Sequence, residues 1–261
     1  MDYQSIFERV ESKYVLRKAQ YEGLWKKIGT HLVDDAFPHS SISSIYFDTD
    51  NYSLARTSID KSAYREKLRL RSYGLKNDDS EVFLELKKKY NGIIYKRRQG
   101  MSYRDSINYI LFDKKPVDTQ IMSEIDYLKV KYPDLAPRVL ISYERDSFVG
   151  KEDKQLRITF DYDIRYSLDN LTLKGNKADR KLSDDDTIVM EIKSLKSMPL
   201  WLSHSLDELG ILPGTFSKYG QIYTNVIMKG VKPCSKIYSH QSTAVQSHSM
   251  YSSFAQLHQS Y

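Results

Sequence analysis

The segment Ala63-Tyr64-Arg65-Glu66-Lys67-Leu68-Arg69-Leu70-Arg71-Ser72-Tyr73 alternates charged and apolar residues with a period of two. Side chains at positions i and i+2 share one face of a β-strand, so this alternation predicts a strand with a basic face and an apolar face. Four cations share the first face and two leucines the second: Arg65, Lys67, Arg69 and Arg71, and Leu68 and Leu70. A sheet of such strands turns its apolar face to a core.

The same alternation recurs along the chain and predicts antiparallel strands joined by hairpins. The further segments are Ile45–Asp48, Glu81–Lys89, Ile93–Arg98, Val139–Arg145, Leu156–Asp163 and Thr187–Lys193. Apolar residues at helical spacing predict helices between and around these strands. The predicted helices are Ala19–Leu32, Tyr103–Phe112, Thr119–Lys131, Pro199–Leu209 and Lys218–Met228. The expected fold class is therefore α+β.

Positive charge is concentrated in one part of the chain. The 261 residues have a formal net charge of +6, and residues 61–100 alone hold twelve Lys and Arg against five Asp and Glu. Such a block favours a polyanionic ligand, although a solvated basic surface would give the same composition. At least five predicted strands have polar faces rich in charge. These faces either meet water or line a barrel, whose interior would then need a charged guest.

Other features limit the class of protein. No apolar run approaches the roughly 18 residues of a membrane span, and the first residues lack a secretory signal, so we expect a cytoplasmic protein. The single cysteine, Cys234, excludes an internal disulfide framework. Phosphate-loop, dinucleotide, zincin and serine-hydrolase motifs are missing from the sequence. The Ser-, Gln- and His-rich residues 231–261 predict a disordered tail after a folded domain over residues 1–230.

Three Glu-x-Lys pairs could supply the chemistry of the charged faces. On a strand each pair sets a carboxylate beside an ammonium group: Glu11 and Lys13, Glu85 and Lys87, and Glu191 and Lys193. Carboxylates suit Mg²⁺ or Mn²⁺, and Lys or Arg neutralises the remaining charge of a phosphate. Two cationic pairs, Arg69 with Arg71 and Lys96 with Arg98, have the same spacing.

Nine strings occur in one order: ESKY (11–14), IYFD (45–48), KLRLRSYG (67–74), FLELK (83–87), KRR (96–98), YERDSF (143–148), LRITFD (156–161), MEIK (190–193) and FSKY (216–219). Because of these strings, the chain resembles the polyphosphate-polymerase domain of the vacuolar transporter chaperone type. The resemblance covers about residues 5–230. That domain is a branch of the triphosphate tunnel metalloenzymes. The resemblance implies an eight-stranded antiparallel β-barrel tunnel with a charged lumen and peripheral helices.

The resemblance also implies an activity and a site. Family members use Mn²⁺ or Mg²⁺ to transfer the γ-phosphate of ATP to a growing inorganic polyphosphate chain or a pyrophosphate primer, releasing ADP. The implied phosphate ligands are Lys13, Arg69, Arg71, Lys87, Lys96, Arg145 and Arg157. Arg98 is the alternative to Lys96, because a small shift in register would exchange the two. Glu191 would hold the metal, and Lys218 would be a catalytic cation at the reacting phosphates. The Glu-x-Lys pairs add Lys193 to the phosphate ligands, and Glu11 and Glu85 to the metal ligands.

One departure bears on the choice of activity. The hydrolytic branch of the superfamily begins with Glu-x-Glu-x-Lys, whereas this chain has Arg9 in place of the first glutamate. That change weakens the triphosphatase interpretation and leaves the number of metals open. A tripolyphosphate or nucleoside triphosphate hydrolase and a non-catalytic polyphosphate- or inositol phosphate-binding module are the alternatives. The resemblance adds a separate membrane channel as a further partner; nucleic acid is not expected, and the oligomeric state stays open.

Overall fold

The computed structural model describes residues 9–74, 77–174, 178–195 and 197–230, so the predicted tail lies outside the described residues. The strands are β1 (Arg9–Arg17), β2 (Leu32–Asp48), β3 (Tyr64–Tyr73), β4 (Glu81–Tyr90), β5 (Ile93–Ser102), β6 (Ala136–Gly150), β7 (Arg157–Ser167), β8 (Arg180–Lys181) and β9 (Thr187–Leu195). The helices are α1 (Lys18–Ile28), α2 (Ser53–Ile59), α3 (Tyr103–Phe112), α4 (Gln120–Lys131), α5 (Leu200–Glu208), α6 (Lys218–Ile222) and α7 (Met228–Gly230). A 3₁₀ turn at Gly29–His31 follows α1, and a π-helical turn at Tyr223–Ile227 joins α6 to α7.

The strands form one sheet in the hydrogen-bonding order β1-β9-β7-β6-β2-β3-β4-β5, with β8 paired to β7. The ladders β1–β9, β7–β9, β2–β3, β3–β4 and β4–β5 are all antiparallel. The predicted α+β fold with eight antiparallel strands is therefore confirmed. Within the described ranges, no ladder joins the two end strands, β1 and β5, so hydrogen bonds do not close the sheet there.

The chain divides into two compact units, each built from separate segments. Unit 1 comprises Met1–Ser41, Tyr143–Ile164 and Ser183–Ser217, and unit 2 comprises Ile42–Ser142, Arg165–Leu182 and Lys218–Tyr261. The buried apolar residues form two clusters that follow the same division. Each unit therefore has a hydrophobic core of its own.

The core of unit 1 is formed by the apolar faces of β1, β7 and β9 together with two helices. Phe160 of β7 and Met190 of β9 are opposite each other in the ladder, and both are buried. Helix α1 buries Leu24 and Ile28, and α5 buries Leu202 and Leu206. The four-residue spacing within each pair puts both side chains on one face of the helix.

The core of unit 2 is formed by β3 and β4, where Leu68 faces Leu86 and Leu70 faces Leu84. Helices α3 and α4 add their apolar faces to this cluster. Glu66 lies on the same apolar face of β3 and is buried, which the alternation did not predict. The Lys131 Nζ donates to its carboxylate at 2.8 Å, and the hydroxyls of Tyr64 and Tyr132 donate to it as well. Glu66 is thus a fully paired structural anion.

Helix α2 was not predicted, because its seven residues show no helical apolar period. The buried carboxylate of Asp48 accepts hydrogen bonds from the backbone N–H groups of Leu54 and Ala55, both at 2.9 Å. An anion at the first turn accepts hydrogen bonds from the free amides and interacts favourably with the positive end of the helix dipole.

Among the described residues, no helix is long and apolar enough to cross a membrane. The cytoplasmic location stays a prediction.

Candidate functional site: two charged strand faces

The charged face of unit 1 centres on Glu191. In the β1–β9 ladder, Lys13 lies opposite Glu191 and Glu11 lies opposite Lys193. The Lys13 Nζ is 3.4 Å from Glu191 Oε2 and 3.5 Å from Glu11 Oε1. The Lys193 Nζ is 2.5 Å from Glu191 Oε1. Two carboxylates and two ammonium groups therefore alternate across two neighbouring strands.

The charges of this group stabilise one another. Burial raises the pKa of Glu191, but Lys193 and Lys13 outweigh it and lower that pKa to about 2. Burial likewise lowers the pKa of Lys13, but Glu191 and Glu11 raise it above its ordinary value. Glu191 and Lys13 are therefore both charged near neutral pH. Such a pair offers a carboxylate to a cation and an ammonium group to an anion.

Strand β7 extends the same face. Arg157, Thr159 and Asp161 lie opposite Lys193, Glu191 and Val189 of β9. Asp161 accepts two hydrogen bonds from Arg145 of β6, from Nε at 2.6 Å and from Nη2 at 2.8 Å. This bidentate geometry fixes the plane of the Arg145 guanidinium.

Thr159 is a buried hydroxyl without a hydrogen-bond partner among the described residues. Thr159 is 3% exposed and lies opposite Glu191 in the β7–β9 ladder. Buried hydroxyl groups in folded proteins are nearly always hydrogen-bonded, and an orphan one requires an explanation. A ligand with acceptor oxygens at this face would supply the missing partner.

The charged face of unit 2 centres on Glu85 of β4. Its Oε2 accepts a hydrogen bond from Arg69 Nε at 2.7 Å and lies 2.6 Å from Arg69 Nη2. Arg71 Nε is 3.7 Å from the same oxygen, and Arg98 Nε is 3.5 Å from Oε1. Burial raises the pKa of Glu85, but Arg69 and Arg71 outweigh it and lower that pKa below its ordinary value. One carboxylate thus orders three guanidinium groups.

A row of three lysines lies beside the arginine cluster. Lys67 of β3 is opposite Lys87 of β4, and Lys87 is opposite Lys96 of β5. Residues directly opposite in antiparallel strands are close enough for like charges to repel each other. A row of three cations across neighbouring strands favours a phosphate-bearing ligand.

Tyr219 anchors the helix that begins with Lys218. The Tyr219 hydroxyl donates to Asp48 Oδ2 at 2.7 Å, and its ring stacks on Tyr46 at 4.9 Å between ring centres. Tyr46 in turn accepts a hydrogen bond from Arg69 Nη1 at 3.0 Å. The start of α6 is thereby connected through two aromatic rings to the arginine cluster.

The model of the family described as "VTC domain" matches residues 8–227. The chain belongs to the VTC domain family. A search of curated proteins gave no match to this VTC domain.

Among solved structures it is similar to a proposed adenylate cyclase from Bacillus halodurans, with 15% identity, a TM-score of 0.50 and coverage of 86% of this chain and 97% of that one. It is also similar to a proposed adenylyl cyclase from Hippeastrum, described as having a dominant triphosphatase activity, with 13% identity, a TM-score of 0.47 and coverage of 88% and 100%. At 15% identity the first likeness shows the fold alone, and the second adds nothing to that.

The predicted site residues of this VTC domain are divided between the two units, and all except Lys218, which begins α6, lie on the charged strand faces. Unit 1 contains Glu11, Lys13, Arg145, Arg157, Glu191 and Lys193, and unit 2 contains Arg69, Arg71, Glu85, Lys87, Lys96, Arg98 and Lys218. Lys96 and Arg98 lie opposite Lys87 and Glu85, so both share the charged face. Prediction from sequence missed Tyr46, Lys67 and Thr159. Lys67 and Thr159 could have been found, because each lies two residues from a predicted ligand on the same strand face.

The carboxylates differ in their suitability for a divalent metal. Among the described residues, no group of three or more His, Cys, Asp and Glu side chains is arranged to hold a metal by itself. Mg²⁺ commonly binds through one or two carboxylates together with phosphate oxygens of the substrate, however. Glu191 and Glu11 fit this description, since both reach the same Lys13 ammonium and Glu191 is ionised. Glu85, which faces three guanidinium groups, does not.

Proposed function

We propose that this VTC domain is a metal-dependent polyphosphate polymerase that transfers the γ-phosphate of ATP to inorganic polyphosphate and releases ADP. The observation that carries the proposal is the position of Glu191 between Lys13 and Lys193, with Arg145, Arg157 and the orphan hydroxyl of Thr159 on the neighbouring strands. This combination pairs a metal-type carboxylate with several phosphate-type ligands. Membership of the VTC domain family supports the same conclusion.

The reaction requires little covalent help from the protein. A terminal phosphate oxygen of the acceptor chain forms a bond to the γ-phosphorus of ATP, the bond to the β–γ bridging oxygen breaks, and ADP leaves. Catalysis of such a step depends on in-line positioning and on stabilisation of the negative charge. Arg145, Arg157, Lys13 and Lys193 would bind and orient phosphate groups on the unit 1 face.

A divalent metal would be held by Glu191 and Glu11, as Mg²⁺ or Mn²⁺. When bound, it supplies Lewis-acid neutralisation of phosphate charge. Lys13 and Lys193 would then be released from their carboxylate partners and become available to phosphate oxygens. The Thr159 hydroxyl would donate a hydrogen bond to a phosphate oxygen, which gives this buried group the partner it otherwise lacks.

The unit 2 face would hold phosphates without a metal. Glu85 would keep Arg69, Arg71 and Arg98 in fixed orientations, and these cations would bind phosphate oxygens with their remaining N–H groups. Lys67, Lys87 and Lys96 would add a row of charge suited to a linear polyanion. Lys218 begins the helix that Tyr219 anchors, and it would have the catalytic role that the family resemblance implies.

The test is an incubation of the purified chain with γ-labelled ATP, Mn²⁺ and a pyrophosphate primer, with products separated on a gel. We expect a ladder of long polyphosphate that disappears on chelation of the metal and in Glu191→Gln. Glu208→Gln is a matched control, because Glu208 is an exposed glutamate of unit 1 paired with a single lysine, Lys27. This control should retain full activity.

The alternatives give different products. Orthophosphate without polymer would contradict the polymerase and favour the tripolyphosphate or nucleoside triphosphate hydrolase. Tight binding of polyphosphate or inositol phosphate without any turnover would favour the binding module. Full polymerase activity in Glu191→Gln would remove Glu191 from the metal site.

A further inference from the structure

The hairpin of β4 and β5 ends in a cluster of exposed apolar side chains. Tyr90, Ile93, Ile94 and Tyr95 are 54%, 58%, 45% and 47% exposed. The turn between the strands is Asn91-Gly92, with φ of 45° and 88°. Two residues with positive φ form the type I′ turn that matches the twist of a hairpin, so the tip is a defined structure rather than a loose loop. Single apolar residues on a protein surface are common, but four large ones together at the tip of a hairpin indicate an interaction site.

The apolar residues cover both faces of the hairpin tip. Ile93 and Ile94 are consecutive strand residues, so their side chains point to opposite faces. Tyr90 lies opposite Ile93 and shares its face, and the Tyr64 ring packs edge-on against Tyr90 at 6.3 Å. A protein partner docks on one face of a sheet, whereas the interfacial region of a bilayer surrounds an inserted tip. Apolar groups on both faces therefore favour a membrane surface over a protein partner.

A collar of positive charge lies directly behind the tip. Residues 87–98, KKKYNGIIYKRR, contain six Lys and Arg and no acidic residue. In the ladder Lys89 is opposite Ile94 and Lys88 is opposite Tyr95, so on β4 the cations begin two residues before the turn. On β5 they begin at Lys96, four residues after Gly92. Lys88 and Arg97 share Glu124 of α4 as a partner, which leaves the group with a net positive charge. Lysine and arginine beside tyrosine and isoleucine are the combination that binds the headgroup region of anionic bilayers.

We propose that the β4–β5 hairpin tip docks on the surface of an anionic lipid bilayer, with Tyr90, Ile93, Ile94 and Tyr95 in the interfacial region and the flanking cations at the headgroups. The occupant is the bilayer itself, since a free phosphate would engage the cations and leave the apolar tip in water. The proposal does not require catalysis, although Lys87, Lys96 and Arg98 also belong to the phosphate face of unit 2. It requires only the exposure, the turn and the charge pattern of this hairpin.

The test is co-sedimentation of the full chain with phosphatidylcholine vesicles, with and without phosphatidylserine. We expect binding to the anionic vesicles alone, weakened by salt. The double variant Ile93→Ser with Ile94→Ser keeps every charge and should lower the partition coefficient about tenfold or more. The matched control Phe37→Ser with Leu212→Ser removes two other exposed apolar side chains and should bind as the wild type does. Unchanged thermal unfolding and tripolyphosphate affinity in both double variants would exclude misfolding.

Insertion of the tip can be measured separately from electrostatic attraction. In Ile93→Trp, brominated lipids should quench additional tryptophan fluorescence beyond the background of Trp25 and Trp201 in the wild type. Equal binding of the serine double variant, or no additional quenching, would overturn the proposal in favour of headgroup attraction by the basic faces. No binding to either kind of vesicle would also overturn it, and the tip would then be assigned to a protein partner.

Discussion

Lys13 and Glu191 lie directly opposite each other in the β1–β9 ladder, with Nζ 3.4 Å from Oε2. The second oxygen of the same carboxylate contacts Lys193. Glu191 is therefore the shared counter-ion of two lysines that we assign to phosphate. Any phosphate bound by these lysines competes with the carboxylate unless a divalent metal neutralises it, which is the physical basis of the metal dependence that we propose.

The first prediction separates binding from turnover at this carboxylate. Glu191→Gln removes a negative charge beside Lys13 and Lys193, so in the presence of a chelator we expect tripolyphosphate to bind more tightly, by up to about tenfold. With Mn²⁺ and ATP, polymer synthesis should fall by at least about a hundredfold. Calorimetric titration and the labelled-product gel measure the two effects. Weaker binding without metal would contradict the counter-ion role of Glu191.

A second prediction concerns Glu85, whose sequence context is the same Glu-x-Lys. Because Arg69, Arg71 and Arg98 surround its carboxylate, Glu85→Gln should disorder these guanidinium groups and raise the KM for polyphosphate. The concentration of Mn²⁺ needed for half-maximal activity should stay unchanged. The same titration in Glu11→Gln serves as the comparison and should shift to higher Mn²⁺. A similar shift in Glu85→Gln would restore the metal-ligand assignment of Glu85.

The difference between Glu85 and Glu191 shows where prediction from the sequence ended. Alternation correctly predicted that both glutamates lie on charged strand faces, since a period of two is a local property of the chain. It could not predict that Glu85 faces Arg69 and Arg98 while Glu191 faces Lys13, because these neighbours depend on the register between strands. Register is set by hairpin geometry and core packing.

The core was more predictable than the short elements. Leu68 and Leu70 were expected on the buried face of β3, and they pack against Leu86 and Leu84 of β4. Helix α2 was missed because the Asp48 carboxylate that stabilises it belongs to the preceding strand. The sequence also could not predict that the buried Thr159 hydroxyl has no hydrogen-bond partner, because this depends on which groups surround it in the folded chain.

The third prediction uses that orphan hydroxyl. Thr159→Val replaces an unsatisfied buried hydroxyl with a methyl group of similar shape, so thermal unfolding of the ligand-free protein should be unchanged or shifted to higher temperature. The KM for polyphosphate should rise about tenfold, because the bound phosphate loses a hydrogen bond in a buried position. Thr159→Ser keeps the hydroxyl and should keep the wild-type KM. A structural role for the hydroxyl would give the opposite pattern, with lower stability and an unchanged KM.

The last prediction concerns the titration of Tyr46. Burial raises the pKa of this phenol, but Arg69, Arg71 and Lys67 outweigh it and lower the pKa to about 8. The unfolded chain keeps the ordinary value near 10, so the folded state gains stability as the pH rises from about 8 to 10. Bound tripolyphosphate brings negative charge to the same three cations and should raise the pKa of Tyr46 towards its ordinary value. The ultraviolet absorbance of tyrosinate, followed against pH, should therefore show a titration near pH 8 that is absent in Tyr46→Phe and moves to higher pH with ligand. Burial raises the pKa of Tyr73, but Arg71 outweighs it and lowers that pKa as well, so Tyr73→Phe is the comparison that separates the two phenols. An early titration that tripolyphosphate leaves in place would mean that the ligand does not reach the cations of unit 2.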